Sequence, residues 1–318
     1  MSIKWHVKNW FRVGKEISWK LNMETIGTLL YFCPVFKNDL TYKIVQKKHE
    51  FVFNFLKKNY PNILNKYKNL PNTKDLDEIP QDRKIWVMWW QGEENAPSLV
   101  KHCIDSIRRN ANGAEVIIIT KNNFKQYADI PDYIIEKNKK GILSFAQLSD
   151  IMRIFLLSKW GGLWLDATIY VSKPIPKEIF KMQFYTQHTS LKKTPFVQND
   201  RIHCFIMGGI PNSKILLYAR EFFTEYWKEH NVVIDYYFLD YMLMLAYWNF
   251  DDIHKMIDDL PYTSETLYSL VNELSHPYCK ETLDKILEDN LFSKLNWHKE
   301  YPVTKKSVKT NYAVLFHL

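Results

Sequence analysis

The spacing of apolar residues along the chain changes period several times, and each change marks an element. From 84 to 90 the run Lys84-Ile85-Trp86-Val87-Met88-Trp89-Trp90 is short, continuous and rich in β-formers. That predicts a buried strand. Gln91-Gly92 ends it. Asn95 can cap a following helix, and Pro97 suits its first turn, where a missing N–H costs nothing. The helix is expected to run to about Asn110, and 115–120 is a second β-branched run. Strand, helix and strand make a β–α–β unit whose strands should be parallel and buried. Ligands of such sheets sit beyond the carboxyl ends of the strands. Gln91, Gly92, Thr120 and the groups near Asp166 are therefore expected to converge on one cleft.

The central stretch has helical and then extended spacing. Leu148, Ile151, Ile154 and Phe155 form an apolar helical face, with Ser144 as its cap and Gly161 at its end. Residues 163–171 then read as a buried strand. Asp166 is out of place inside it, because a buried carboxylate needs a cation, a donor-rich ligand or an arginine. Asp150 and Arg153, three apart, share a helix face just upstream. Two readings follow from the residues alone. Either Asp166 and Arg153 form an ion pair that tethers helix to strand, or the three groups belong to a site.

Flanking segments are mostly helical. Residues 1–22 place Ile3, Val7, Trp10, Phe11, Ile17 and Leu21 near one face, with Lys4, Lys8, Arg12 and Lys15 between them. Such a face either packs on the protein or lies at a bilayer interface. Residues 23–70 continue as helix, broken at Pro34 and Pro61, and 70–83 is a connector. A boundary near residue 80 separates a basic helical extension, 1–80, from a larger domain, 81–318. Downstream, 184–186 and 205–207 are candidate strands, and 213–230 and 233–248 candidate helices. The polar stretch 187–199, with Lys192, Lys193 and Pro195, reads as a lid. Asp240 is a second misplaced carboxylate, on an apolar helix. It is either satisfied by a structural contact or serves as a catalytic or acceptor-binding group.

Bulk properties narrow the class. The 318 residues are 46% hydrophobic and 25% charged, as in a soluble globular protein. No run approaches the ~18 apolar residues of a spanning helix, and no secretory leader is expected. Cys33, Cys103, Cys204 and Cys279 form no zinc spacing, so free thiols in a cytoplasmic protein are expected. Residues 1–84 hold 16 Lys and Arg against 8 Asp and Glu, whereas the remainder holds 27 of each. The net charge of +8 thus belongs to the N-terminal quarter. It points to an anionic surface as partner. No nucleic-acid-binding signature accompanies it, so nucleic acid is not an expected partner.

Ser149-Asp150-x-x-Arg153 followed by Gly161-Gly162-Leu163-Trp164-Leu165-Asp166-Ala167-Thr168 resembles the signature of the capsular polysaccharide synthesis glycosyltransferases, relatives of the DxD-containing sugar transferases. Ile85 to Pro97, with Gln91-Gly92 inside it, and Arg201-Ile202-His203-Cys204-Phe205, are similar to further segments of that family. The resemblance implies an α/β GT-A fold, with a Rossmann-like nucleotide-sugar-binding sheet. It implies a retaining hexosyltransferase using a nucleotide sugar such as UDP-galactose or UDP-glucose. The acceptor would be a lipid-linked oligosaccharide, reached from the inner face of the cell membrane. Asp166 corresponds to the first Asp of DxD, and Thr168 stands where a strict motif has the second. Mn²⁺ or Mg²⁺ is the implied cofactor, with Asp166, Thr168 and His317 as candidate ligands. Trp90, Gln91, Gly92, Ser149, Asp150, Arg153, Asp166, Ala167 and Thr168 are the implied donor-binding residues, and Asp166 and Asp240 the candidate catalytic carboxylates. The competing reading, supported by Thr168 alone, is a non-catalytic glycan- or nucleotide-binding module on a degenerate fold.

Overall fold

The structure, a computed structural model, describes residues 3–189, 194–263 and 265–318. Lys192 and Lys193 of the expected lid lie outside the described residues.

The N-terminal quarter holds four helices: α1 (Ile3–Glu16), α2 (Trp19–Tyr31), α3 (Asp39–Asn59) and α4 (Pro61–Lys68). The single helix expected over 1–22 is broken. Ser18 is extended, and its side chain accepts the Lys20 N–H, which starts a new helix. A Cβ at Gly14 would lie 2.5 Å from the Trp19 ring, so glycine allows the two helices to fold against each other. Asn38 and Thr41 close a reciprocal capping box at the start of α3.

Next come β1 (Lys84–Met88), α5 (Ser98–Arg109), β2 (Glu115–Ile119), α6 (Phe124–Tyr127), α7 (Asp132–Lys139), α8 (Phe145–Trp160), β3 (Gly162–Leu165), β4 (Ile169–Val171), β5 (Tyr185–Thr186) and β6 (Ile206–Gly209). The main sheet has the order β2-β1-β3-β6-β5. Its β2, β1 and β3 strands are parallel, as the β–α–β pattern requires; β6 runs antiparallel to them, and β5, antiparallel to β6, points their way again. Alternation along the strands divides the core. Trp86, Trp164 and Met207 face α8 and the helices beyond it. Ile85, Val87, Leu163, Leu165 and Ile206 face α5. The result is a sheet covered on both sides by helices.

The chain ends with α9 (Lys214–Glu229), α10 (Phe238–Asn249), α11 (Asp251–Asp258), α12 (Ser269–Glu273), α13 (Lys280–Asp289), β7 (Phe292–Lys294), a small β8–β9 hairpin (Thr304–Lys305, Val308–Lys309) and α14 (Asn311–Leu315). The helix expected from 233 begins only at Phe238. Asp235 instead pairs with Lys48 at 2.8 Å and accepts the Tyr237 N–H. The N-terminal helices share the main core. Tyr60 packs on Phe222 and Tyr67 on Tyr218, with ring centroids 4.8 and 5.6 Å apart. The core therefore runs without interruption across residue 80.

The largest departure lies at 163–171, expected as one strand. The main-sheet strand stops at Leu165. Asp166 to Thr168 form a turn closed by the Ile169 N–H on the Asp166 carbonyl. Chain 169–171 then pairs antiparallel with β7, in a different sheet. A carboxylate cannot stay inside a ladder buried on both faces, so the strand ends where its charge begins.

Candidate active site

Helix, turn and strand deliver Asp166 to the carboxyl end of β3. The Ser144 hydroxyl caps α8 by accepting the Gln147 N–H at 3.2 Å. At its far end Gly161 and Gly162 have φ of 67° and 101°. A Cβ on Gly162 would lie 2.3 Å from the Lys84 carbonyl oxygen, so this chain reversal needs glycine to enter the sheet beside β1. The same turn is locked by Trp86, whose indole N–H donates to the Gly161 carbonyl at 2.8 Å.

Asp166 is enclosed by donors. Its Oδ1 accepts from Arg153 at 3.1 Å and from the Trp164 indole at 2.9 Å. Its Oδ2 accepts from Lys294 Nζ at 2.7 Å. Burial works against the Asp166 charge, but Lys294 and Arg153 outweigh it and hold its carboxyl below the usual range. Arg153, 5% exposed, also donates to the Cys204 carbonyl at 2.5 Å and lies 3.4 Å from Asp150. The pairing left open by the residues alone is thus shared: Arg153 serves both carboxylates. Burial pushes Asp150 up to about 7, and Arg153 only partly offsets it. Asp240 is likewise raised to about 7 by burial and by the nearby Asp150 charge.

Two chambers meet at Asp166. The first, of about 840 Å³, lies beyond the end of β1. Its walls include Trp89, Trp90, Gln91, Ser149, Ala167 and Thr168. Trp90 sits against Phe124, and Trp89 edge-on to Trp297. Lys294, His298 and Lys299 also line it, and Asp166 is its one carboxylate among the described residues. The second, of about 670 Å³, is lined by Asp150, Arg153, Asp200, His203 and Asp240. Asp166, Lys294, Ser149, Tyr236 and Tyr268 belong to both. Each chamber also holds a buried polar atom with no partner among the described residues: Trp89 Nε1 in the first and His203 Nε2 in the second.

The structure brings Trp90, Gln91, Ser149, Asp150, Arg153, Asp166, Ala167, Thr168 and Asp240 to this cleft. Gly92 lines neither chamber. It forms the turn after β1, at φ 95°. His317 is exposed and lines neither chamber, next to Phe316, which stacks on His102 of α5. Sequence reasoning missed Lys294, Tyr236, Tyr268 and His298. Lys294 is 128 positions from Asp166, and only the β4–β7 register, Ile169 opposite Lys294, puts it there.

The donor set does not fit a divalent cation held by protein ligands. Both Asp166 oxygens are engaged by donors, two of them cationic, so a metal there would face the charges of Arg153 and Lys294. Among the described residues no three His, Cys, Asp or Glu side chains gather as a metal-binding group. No helix of those residues is long and apolar enough to cross a membrane.

Among solved structures, the chain is similar to one described as "PaToxG Glycosyltransferase", with 16% identity, a TM-score of 0.38, and coverage of 70% of this chain and 84% of that one. A likeness at that level carries no argument. No curated protein matches the chain. The sequence profile of a family described as "Capsular polysaccharide synthesis protein" matches residues 33–314, most of the chain and the whole cleft. This chain therefore belongs to the capsular polysaccharide synthesis protein family.

Proposed function

We propose that the protein is a GT-A glycosyltransferase. It moves a hexose from a nucleotide sugar, UDP-galactose or UDP-glucose, to a growing lipid-linked capsular or cell-surface glycan, with retention. One observation carries the reading: the cleft is divided into two chambers of opposite character that share Asp166 and Lys294. A nucleotide sugar has the same division. Its base is flat and its diphosphate anionic, which suits the indoles and cations of the first chamber. Its sugar is neutral and rich in O–H donors, which suits the carboxylates of the second.

The reaction breaks the bond between the anomeric carbon and a phosphate oxygen, and the electron pair stays on that oxygen. The acceptor hydroxyl bonds to the same face, and its proton passes to the departing phosphate. Fixed positive charge at the shared wall stabilises that phosphate. Asp240, in the second chamber, accepts a hydrogen bond from a neighbouring hydroxyl of the acceptor sugar and so orients the attacking one.

The test is nucleotide release from a panel of nucleotide sugars with Mn²⁺, Mg²⁺ or EDTA. Slow hydrolysis of one UDP-hexose is expected. No release from any donor, together with no thermal shift from any nucleotide, would move the reading to the binding module.

A lipid-linked acceptor places the enzyme at the inner membrane face, and the N-terminal helices suit that. Among the described residues, large apolar side chains from Val7 to Leu40 stay exposed, with Met23 at 65%, Leu29 at 66%, Val35 at 84% and Leu40 at 69%. Lys8, Lys15, Lys20 and Lys37 are exposed beside them. Apolar side chains rimmed by cations match an anionic bilayer. The protein is expected to co-sediment with phosphatidylserine vesicles. A Leu29→Glu, Val35→Glu variant should bind at least ~10-fold more weakly, since each buried apolar side chain is worth about 1.5–3 kcal/mol. Its donor hydrolysis should stay unchanged. Equal vesicle binding by the variant would remove this surface from the reading.

A further inference from the structure

We propose that Lys294 takes the place of a divalent cation: its ammonium, held by Asp166, neutralises the donor diphosphate and the charge that develops on it as it leaves. This rests on the nucleotide-sugar reading above. Three observations support it. Lys294 lies in the wall common to both chambers, where the diphosphate of a donor spanning them must pass. It is fixed rather than free. Its backbone is paired in β7 and donates to Leu267, its Nζ is 2.7 Å from Asp166 Oδ2, and it sits over the Phe205 ring at 4.7 Å. Finally, Asp166 is already neutralised by cations. Oδ1 holds Arg153 and Trp164, Oδ2 holds Lys294, and a divalent cation at the one remaining Oδ2 position would face the charges of both Lys294 and Arg153.

The arrangement also accounts for Thr168. A metal held mainly by protein needs a second carboxylate beside the first, whereas an ammonium needs one carboxylate to aim it and leaves its remaining N–H groups for phosphate oxygens. Asp166 is then a positioning residue for Lys294. It balances enough of the positive charge of Arg153 and Lys294 for the site to form before the donor arrives. No co-reactant is required. The acceptor proton still leaves with the phosphate, and the ammonium stays protonated throughout.

The experiment is calorimetric titration of the full chain with UDP and with inorganic pyrophosphate, in EDTA and in Mn²⁺, for wild type, Lys294→Gln and Lys294→Arg. Mn²⁺ binding is followed separately by its paramagnetic resonance signal. Binding in EDTA within threefold of that in Mn²⁺ is expected. So are a tenfold or greater loss in Lys294→Gln, substantial recovery in Lys294→Arg, and an unchanged free Mn²⁺ signal when protein is added without nucleotide. A purely structural Lys294 would show in melting temperature and leave the affinity of the folded variant unchanged, which overturns the proposal. Nucleotide binding only in Mn²⁺ overturns it too, and leaves the transferase reading standing. No binding of either probe under any condition overturns both.

Discussion

Replacing Asp166 with alanine is expected to lower donor turnover by about 10²–10³-fold, the usual size of losing one preorganised electrostatic group. The reason is geometric. Asp166 touches Arg153, Trp164 and Lys294 together. Without it, Lys294 keeps its place in β7 but loses its aim. Stability should fall less than the ~3–5 kcal/mol of breaking a fully buried pair. Arg153 retains Asp150 and the Cys204 carbonyl, and Lys294, its side chain 21% exposed, can turn toward water. Asp166→Asn should lose nearly as much activity, because an amide keeps the shape but withdraws the charge. Single-turnover hydrolysis followed by chromatography, with a melting curve for each variant, checks this. Turnover within threefold of wild type in a folded Asp166→Ala protein would take the residue out of the site.

The second large effect concerns Asp240. Replacing it with asparagine should stabilise the protein at pH 8 relative to pH 5 while abolishing most transfer. Burial, with the Asp150 charge beside it, holds Asp240 at about 7. A carboxyl raised in the folded state keeps its proton there after the unfolded chain has released it. Its contribution is complete below the unfolded pKa, near 4, and is lost as pH climbs to about 7. At pH 8 the wild type carries a buried charge that asparagine does not, a difference of about 2–4 kcal/mol. The wild-type profile alone will not show it. His49 and His203 are lowered to about 4 by burial, and their contribution is lost as pH falls from 6.5 toward 4, the opposite direction in the same window. The quantity to measure is therefore the difference between variant and wild type in urea midpoints from pH 5 to 8. A variant that gains stability and loses acceptor transfer identifies a carboxylate kept for function against the fold's interest. A flat difference would mean that Asp240 is solvated or paired, and full transfer activity would assign it to structure.

Much of the architecture was legible in order. The run at 84–90, the helix after it and the run at 115–120 form the parallel unit that their spacing predicts. Ser144, Gly161 and the apolar face between them read correctly as α8. Asp150, Arg153 and Asp166 announced themselves as charges in apolar surroundings, and they do meet. These inferences held because local chemistry decides them. A cap needs its hydroxyl, a reversal needs its glycine, and burial of charge is costly wherever it occurs.

The sequence by itself determined the family, the α/β pattern and the address of the charged centre. Tertiary structure alone decided three further things. It ended β3 at Leu165 and carried 169–171 into a second sheet, since whether an apolar run stays in one ladder depends on the strands that offer to pair with it. It merged the basic helices with the main core, because the partners of Tyr60 and Tyr67 lie in α9, far along the chain. It also brought Lys294 to Asp166. Nothing around Lys294 in the sequence distinguishes it from the other lysines. A strand register across 128 positions supplies the contact, and such a register is set by the packing of the whole fold.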